Sequence, residues 1–253
     1  MRLPFPARVL LGCCIFAMSA ATAARVQTAR TMVRAYDPRE AEPQRRISTA
    51  DSLLLERVVR PAARRHWAKS REEGMEEFRE DCGEGFQVWG GAAEGSFTRP
   101  GARQRAYLYS YCFVSRVIGG VGGIAVIEDG RVVAHVPFAT TAYGLRAVPD
   151  LDGDGRTELM IEDGDYGQGV GDYTGSFVAI APGGRDLRWL GTYHIGSEDC
   201  GTVRDRVRRE GYALFVRPGP RPRFFQLPLT AGCEDPPRWN NREPLQPAVP
   251  VEW

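Results

Sequence analysis

GIAVIEDGRVVAHV, residues 123–136, places two apolar, β-branched runs on either side of Glu128-Asp129-Gly130. Asp-Gly between such runs is a strong hairpin signal, because the favoured two-residue turns need positive φ and these residues tolerate it best. The same grammar recurs downstream. Ser176–Ile180 and Leu187–Leu190 flank Ala181-Pro182-Gly183-Gly184, and Gly211–Val216 and Arg223–Leu227 bracket a Pro/Gly turn. Upstream, Phe86–Trp89 and Ala106–Val114 read as strands, the second alternating between two faces. Short strands with regular turns predict a mainly β (α+β) fold of antiparallel hairpins, with a partial propeller-like module as one arrangement open to it.

Composition agrees with that class. The 253 residues include 29 Gly and 18 Pro, with 43% hydrophobic and 26% charged residues. Disordered, collagenous and coiled-coil chains are excluded by these values. With 33 Lys+Arg against 32 Asp+Glu, net charge says little about partners. Five segments are expected: 1–23 a signal peptide, 24–47 a flexible arm, 48–80 a helical segment, 81–235 a β-rich domain, and 236–253 a proline-rich tail.

In the helical segment, Ser48 followed by Asp51 reads as an N-cap with a first-turn acid. Leu53, Leu54, Leu55, Val58 and Val59 form an apolar face, Pro61 is expected to interrupt it, and a second helix is expected from Ala62 to Phe78, with Trp67, Met75 and Phe78 as core contacts. Residues 24–71 carry twelve bases against five acids, 12 − 5 = +7. Without a nucleic-acid motif or interleaved aromatics this reads as a solvated basic surface and not as a nucleic-acid site. The chain has a single lysine, Lys69, so arginine enrichment is general.

Arg2 and Arg8, the apolar run Val9–Ala20 and Ala21-Thr22-Ala23 fit a secretory signal, too short to span a membrane. No transmembrane helix is expected after cleavage. Leu10-Leu11-Gly12-Cys13 resembles a lipobox, but Cys13 sits inside the apolar run where a lipidation site should follow it. The expected location is secreted or periplasmic. In an oxidising compartment Cys82, Cys112, Cys200 and Cys233 are expected to form two disulfides. Three pairings exist, and loop closure favours Cys82–Cys112 with Cys200–Cys233, each worth about 3 kcal/mol.

The chemistry concentrates at Asp150-Leu151-Asp152-Gly153-Asp154-Gly155-Arg156-Thr157-Glu158. Acids fall at positions 1, 3, 5 and 9 of this loop, Gly155 allows its sharp turn, and Arg156 offers a backbone carbonyl. Clustered carboxylates repel one another, and a divalent cation is their natural counter-charge. All-oxygen ligands in a flexible loop favour Ca²⁺ over Zn²⁺ and Mg²⁺. An EF-hand would need Glu at position 12, where Ile161 stands, and flanking helices, where Leu145–Val148 and Leu159–Ile161 read as strands.

An acidic loop of this pattern between strands resembles the calcium loop of FG-GAP repeats, also called VCBS repeats, of integrin-type propellers. The resemblance covers residues 144–193. It implies that Asp150, Asp152, Asp154, the Arg156 carbonyl and Glu158 ligate Ca²⁺, and that Leu159 opens the following strand. The hairpin at 123–136 precedes the loop much as 176–193 follows it, which leaves room for a degenerate second repeat. A single D-x-D-G-D-G cannot supply a full propeller.

Other constellations point to structure. Glu162-Asp163-Gly164-Asp165 reads as a solvated acidic loop, and Gly167–Gly171 as a flexible β-loop without the Lys-Ser/Thr of a phosphate site. His66, His135 and His194 read as structural, and no G-x-S-x-G is present. The expectation is an exported, Ca²⁺-stabilised binding or scaffolding protein, partnered by an extracytoplasmic protein or glycan. The rival is a secreted hydrolase using the acids at 158–165.

Overall fold

Asp129 and Gly130 both take positive φ, 47° and 72°, so the hairpin at 123–136 turns through a primed two-residue loop. Around it, the computed structural model describes residues 31–40, 46–69, 85–115, 119–167, 169–201, 208–241 and 243–251. Apart from Thr31, these belong to one compact unit, Met32–Trp253. The expected signal peptide with Cys13, and residues 70–84 with Met75, Phe78 and Cys82, lie outside the described residues. No helix among the described residues is long and apolar enough to cross a membrane.

The fold is mainly β and wholly antiparallel. One sheet is a four-strand meander in the order β2 (Gln87–Gly95), β3 (Gln104–Ser115), β4 (Gly119–Glu128), β5 (Arg131–Ala139). A second meander follows with β6 (Gly144–Val148), β7 (Glu158–Gly167), β8 (Val170–Ile180) and β9 (Leu187–Glu198). It continues into β10 (Arg209–Arg217), β11 (Arg223–Ala231) and the two-residue β12 (Gln246–Pro247).

Period-two alternation distributes each strand between two cores. Ala106 and Leu108 of β3, Ile124 and Val126 of β4, Leu159 and Ile161 of β7, and Val178 and Ile180 of β8 meet in the core between the meanders. Tyr107, Tyr109, Ala125 and Ile127 point the other way, into a core closed by the helical segment. Met160 and Phe177 face a third core with Leu214, Val216 and Phe224. This third core exists because β9 and β10 pair only at Gly196–Glu198 with Arg209–Gly211. Beyond that point the strands part, and the β10–β11 ribbon covers the sheet that it extends.

The helical segment departs from expectation at Pro61. The helix does not stop there. It runs as α1 (Thr49–Leu54), a π-helical turn (Leu55–Val59) and α2 (Arg60–Trp67). The Arg60 N–H reaches back five residues to the Leu55 carbonyl. This widened turn makes room for the proline ring, which would otherwise clash with a carbonyl of the preceding turn. Ser48 does cap the helix, its Oγ accepting from the Asp51 N–H at 3.1 Å. Asp51 does more than favour the helix dipole. It is buried, accepts from Arg105 Nε at 2.6 Å and Tyr107 Oη at 2.5 Å, and so pins the helix to β3. The Arg105 guanidinium holds its carboxyl below the usual carboxylate range.

The arm expected over 24–47 contributes a strand instead: β1 (Val33–Tyr36) pairs with β10 at Leu214–Val216, the half of that edge that β9 leaves open. Four residues are too few to show a period. Glu162–Asp165, expected as a solvated loop, lies inside β7. Two of its acids find partners, Glu162 buried against Arg146 and Asp163 accepting from Thr141 Oγ1 at 2.6 Å, while Asp165 stays exposed as expected. Gly167–Gly171 is the tight β7–β8 turn, with Gly167 opposite Val170. In the proline-rich stretch β12 pairs with β11, and Asn240 and Pro250 bridge to Thr230 and Tyr193. Cys200 and Cys233 form a disulfide with Cα atoms 5.6 Å apart. Cys112 is also disulfide-bonded.

Candidate metal centre

The loop 149–157 joins the first two strands of the second meander, β6 and β7. Leu151 has no exposed surface and drops into the third core, which holds one side of the loop down. Gly153 and Gly155 take φ of 85° and 82°, a conformation that glycine adopts without strain. The chain can then coil tightly enough for the acids to bind its own N–H groups. Asp150 Oδ1 accepts from the Gly153 N–H at 2.6 Å and its Oδ2 from the Gly155 N–H at 2.9 Å. Asp152 Oδ1 accepts from the Asp154 N–H at 3.0 Å, and Glu158 Oε2 from the Leu151 N–H at 2.6 Å.

The result brings together all four acids singled out by the sequence. Asp150, Asp152, Asp154 and Glu158 each offer an oxygen, and these lie within 4.8 Å of one another. Ligands on opposite sides of one large oxygen-bound cation are about 4.6–5.2 Å apart, since each bond is about 2.3–2.6 Å. The cluster could hold a single metal ion in this geometry. The backbone bonds occupy one lone pair of each accepting oxygen and leave others for a metal.

Two arginines sit against the acids. Arg156 donates from Nε to Asp154 Oδ2 at 2.8 Å, and from Nη1 to the Ile180 carbonyl at 2.8 Å. It holds the Asp154 carboxyl below its ordinary range. Sequence reasoning used only the Arg156 carbonyl; its side chain instead neutralises one ligand and ties the loop to β8. Arg188 of β9 pairs with Asp152. Nothing in the sequence signals Arg188, which lies 36 residues from its partner. Four acids against two guanidiniums leave a formal charge of −4 + 2 = −2.

Glu158 is the least compensated of the four. It has no exposed surface, and its Oε1 has no hydrogen-bond partner among the described residues. Burial pushes its carboxyl up to about 7, helped by the charges of Asp150 and Asp154 and opposed by the Leu151 N–H and Arg156. A buried carboxylate oxygen without a partner costs on the order of 1–3 kcal/mol or more, so such groups are rare without a function.

The histidines lie elsewhere. His135 Nε2 is 2.7 Å from Tyr109 Oη, and burial lowers its pKa to about 4. His194 Nε2 lies 2.7 Å from the Gly196 carbonyl. Compared with family models, curated proteins and solved structures, the chain matches none. The functional reading therefore rests on the site itself.

Proposed function

We propose that the loop 149–157 binds Ca²⁺ and that the protein is an exported, calcium-stabilised binding or scaffolding module. The observation that carries this is the buried, unpartnered Oε1 of Glu158 within a four-carboxylate cluster of net charge −2. A divalent cation would satisfy both the orphaned oxygen and the residual charge. Oxygen-only ligands drawn from a flexible, glycine-containing loop suit Ca²⁺ better than Zn²⁺ or Mg²⁺. The likeness of residues 144–193 to an FG-GAP/VCBS repeat supports the same assignment, with Arg156 supplying a carbonyl. Export is supported by the sequence signal and is compatible with the Cys200–Cys233 disulfide.

The hydrolase alternative gains no support from Glu158 or Glu162. Glu158 has no exposed surface to meet a substrate, and Glu162 is buried against Arg146. A ligand that binds only the folded state at 100 times its Kd adds about 2.7 kcal/mol of stability. Thermal unfolding in EDTA, millimolar Ca²⁺ and millimolar Mg²⁺ tests the proposal. Ca²⁺ should raise Tm well above the EDTA value and further than Mg²⁺ does. Equal Tm in EDTA and Ca²⁺, with no binding heat by calorimetry, would reduce the loop to an acidic turn.

A further inference from the structure

The acidic loop occupies the start of β7. Seven residues along the strand, roughly 23 Å away, a second feature occupies its far end. A cavity of about 770 Å³ opens there, walled by Trp89, Tyr143, Tyr166 and Tyr173. Three of these rings, Trp89, Tyr143 and Tyr166, are 40–42% exposed. Large rings left in water around one concavity mark a binding surface.

The wall is shaped by specific packing. Tyr143 and Tyr173 meet at 82° with centroids 6.4 Å apart, which makes a two-sided aromatic corner. Tyr173 lies against the backbone of the β7–β8 hairpin. A Cβ on Gly164 would come within 2.5 Å of its Cδ1, and one on Gly171 within 2.5 Å of its hydroxyl. Two glycines thus allow the ring to lie flat and face the cavity.

The polar part of the wall fixes the sign of the ligand. Asp163, Asp165 and Asp172 line the cavity, and no Lys or Arg among the described residues does. Asp163 accepts from Thr141, and Asp172 lies 2.6 Å from His194 Nε2. Asp165 is exposed and has neither hydrogen bond nor ion pair among the described residues. The Tyr173 hydroxyl is turned away, donating to Glu198 Oε1 at 3.1 Å. An anion would be repelled by three carboxylates in a wall that holds no basic side chain among the described residues. The negative faces of the rings and the carboxylates both attract a cation.

We propose that this cavity binds an organic cation, an ammonium or guanidinium head group set against its exposed rings, with the carboxylates of Asp165 and Asp172, which face each other across the β7–β8 ladder, supplying the counter-charge. Its volume suits a head group with a short chain attached. The inference deepens the binding role proposed above, resting on that reading but not on Ca²⁺.

The test is titration calorimetry in EDTA with choline, agmatine and a tetra-arginine peptide, with cellotetraose as the neutral probe. At least one cationic probe should bind, with affinity falling as NaCl rises. Agmatine as tight as the peptide assigns recognition to a free amine, and a much tighter peptide assigns it to a protein-borne cation. Tyr143→Leu should weaken binding about tenfold while Tyr143→Phe retains it. Asp165→Asn should weaken binding and flatten the salt dependence, and both variants should still unfold cooperatively. Salt-independent binding of cellotetraose alone would make the cavity a glycan platform and overturn the proposal, as would no heat with any probe. Because the titration is run without Ca²⁺, its failure is separate from failure of the metal site, which Tm reports.

Discussion

The loops 96–103 and 149–157 hold the same place in successive meanders, yet they solve it with opposite chemistry. Each joins the first strand to the second, and they touch: the Ser96 N–H donates to Thr157 Oγ1 at 3.0 Å and the Thr157 N–H to the Ser96 carbonyl at 3.2 Å. Each drops one apolar residue into a core, Phe97 in the first and Leu151 in the second. Each ends on a buried polar residue that opens the next strand, Gln104 on β3 and Glu158 on β7. Gln104 is satisfied at both ends. Its Oε1 accepts from the Thr98 N–H at 2.9 Å, and its Nε2 donates to Thr98 Oγ1 at 2.6 Å and Glu128 Oε2 at 2.8 Å. Glu158 is satisfied at one oxygen only. The polar end of loop 96–103, which carries Arg99 and Arg103 and no acid, is satisfied from within the fold, while Glu158 keeps one oxygen without a partner among the described residues. In topology, loop 96–103 corresponds to the acidic loop without its acids.

Removing the plug of loop 96–103 should have the largest effect. Phe97→Ala should cost about 3–5 kcal/mol in urea unfolding, because it empties a packed site between the meanders. The loss should be the same in EDTA and in Ca²⁺. A loss seen only in EDTA would show that the two loops are not independent.

Next comes the pH response of the metal-free protein. Glu158 titrates near 7 when folded, against 4.5 for an ordinary glutamate. Between those values the folded chain keeps a proton that the unfolded chain has released, so stability falls as pH rises, by on the order of 3 kcal/mol in all. His135 acts in the opposite sense. Its folded value of about 4 lies below 6.5, so stability is lost as pH falls through that window. Glu158→Gln should remove the first slope and expose the second. Its stability in EDTA should exceed that of wild type at pH 8, and Ca²⁺ should no longer raise its Tm. A mutant less stable than wild type in both buffers would show that Glu158 is an ordinary structural carboxylate.

Exchanging the chemistry in the other direction sharpens the contrast. Gln104→Glu would set a carboxylate against Glu128 and delete the amide donor. It should cost about 2 kcal/mol at pH 8 and recover at pH 5, as one acid of the pair takes up a proton. The smallest effect is expected at Arg188, whose side chain is 44% exposed against Asp152. Arg188→Gln should lower EDTA stability by about 1 kcal/mol, because Asp152, whose side chain is only 5% exposed, loses its partner beside three other acids. It should tighten Ca²⁺ binding by calorimetry, since a competing cation has gone.

What could be read from the chain and what could not separate along contact distance. The hairpin at 123–136 and the loop 150–158 are written in adjacent residues, because turn conformation and ligand spacing are local requirements. The fold class follows from the same turns. Arg188 against Asp152 and Arg105 against Asp51 pair residues 36 and 54 apart, and no local pattern announces them. Glu162–Asp165 looked solvated because acids were judged without Arg146 and Thr141, which the fold brings to them. The aromatic cavity draws on β2, β7 and β8 at once, so its rings were scattered single residues in the sequence.

The π-helical turn at Leu55–Val59 sets how the helix tolerates changes of length. One extra residue is wound into that turn, and the buried side chains Leu55, Val59, Ala63 and Trp67 recur every four positions as a result. Deleting any one residue from 55–59 would remove the widened turn that seats the Pro61 ring, set that ring against a carbonyl of the preceding turn, and kink or break the helix there. Ala63 and Trp67 would then swing off the tyrosines of β3 while Asp51 still held the first turn in place. Single deletions within 55–59 should therefore lower stability more than single deletions at the exposed tip Pro182-Gly183.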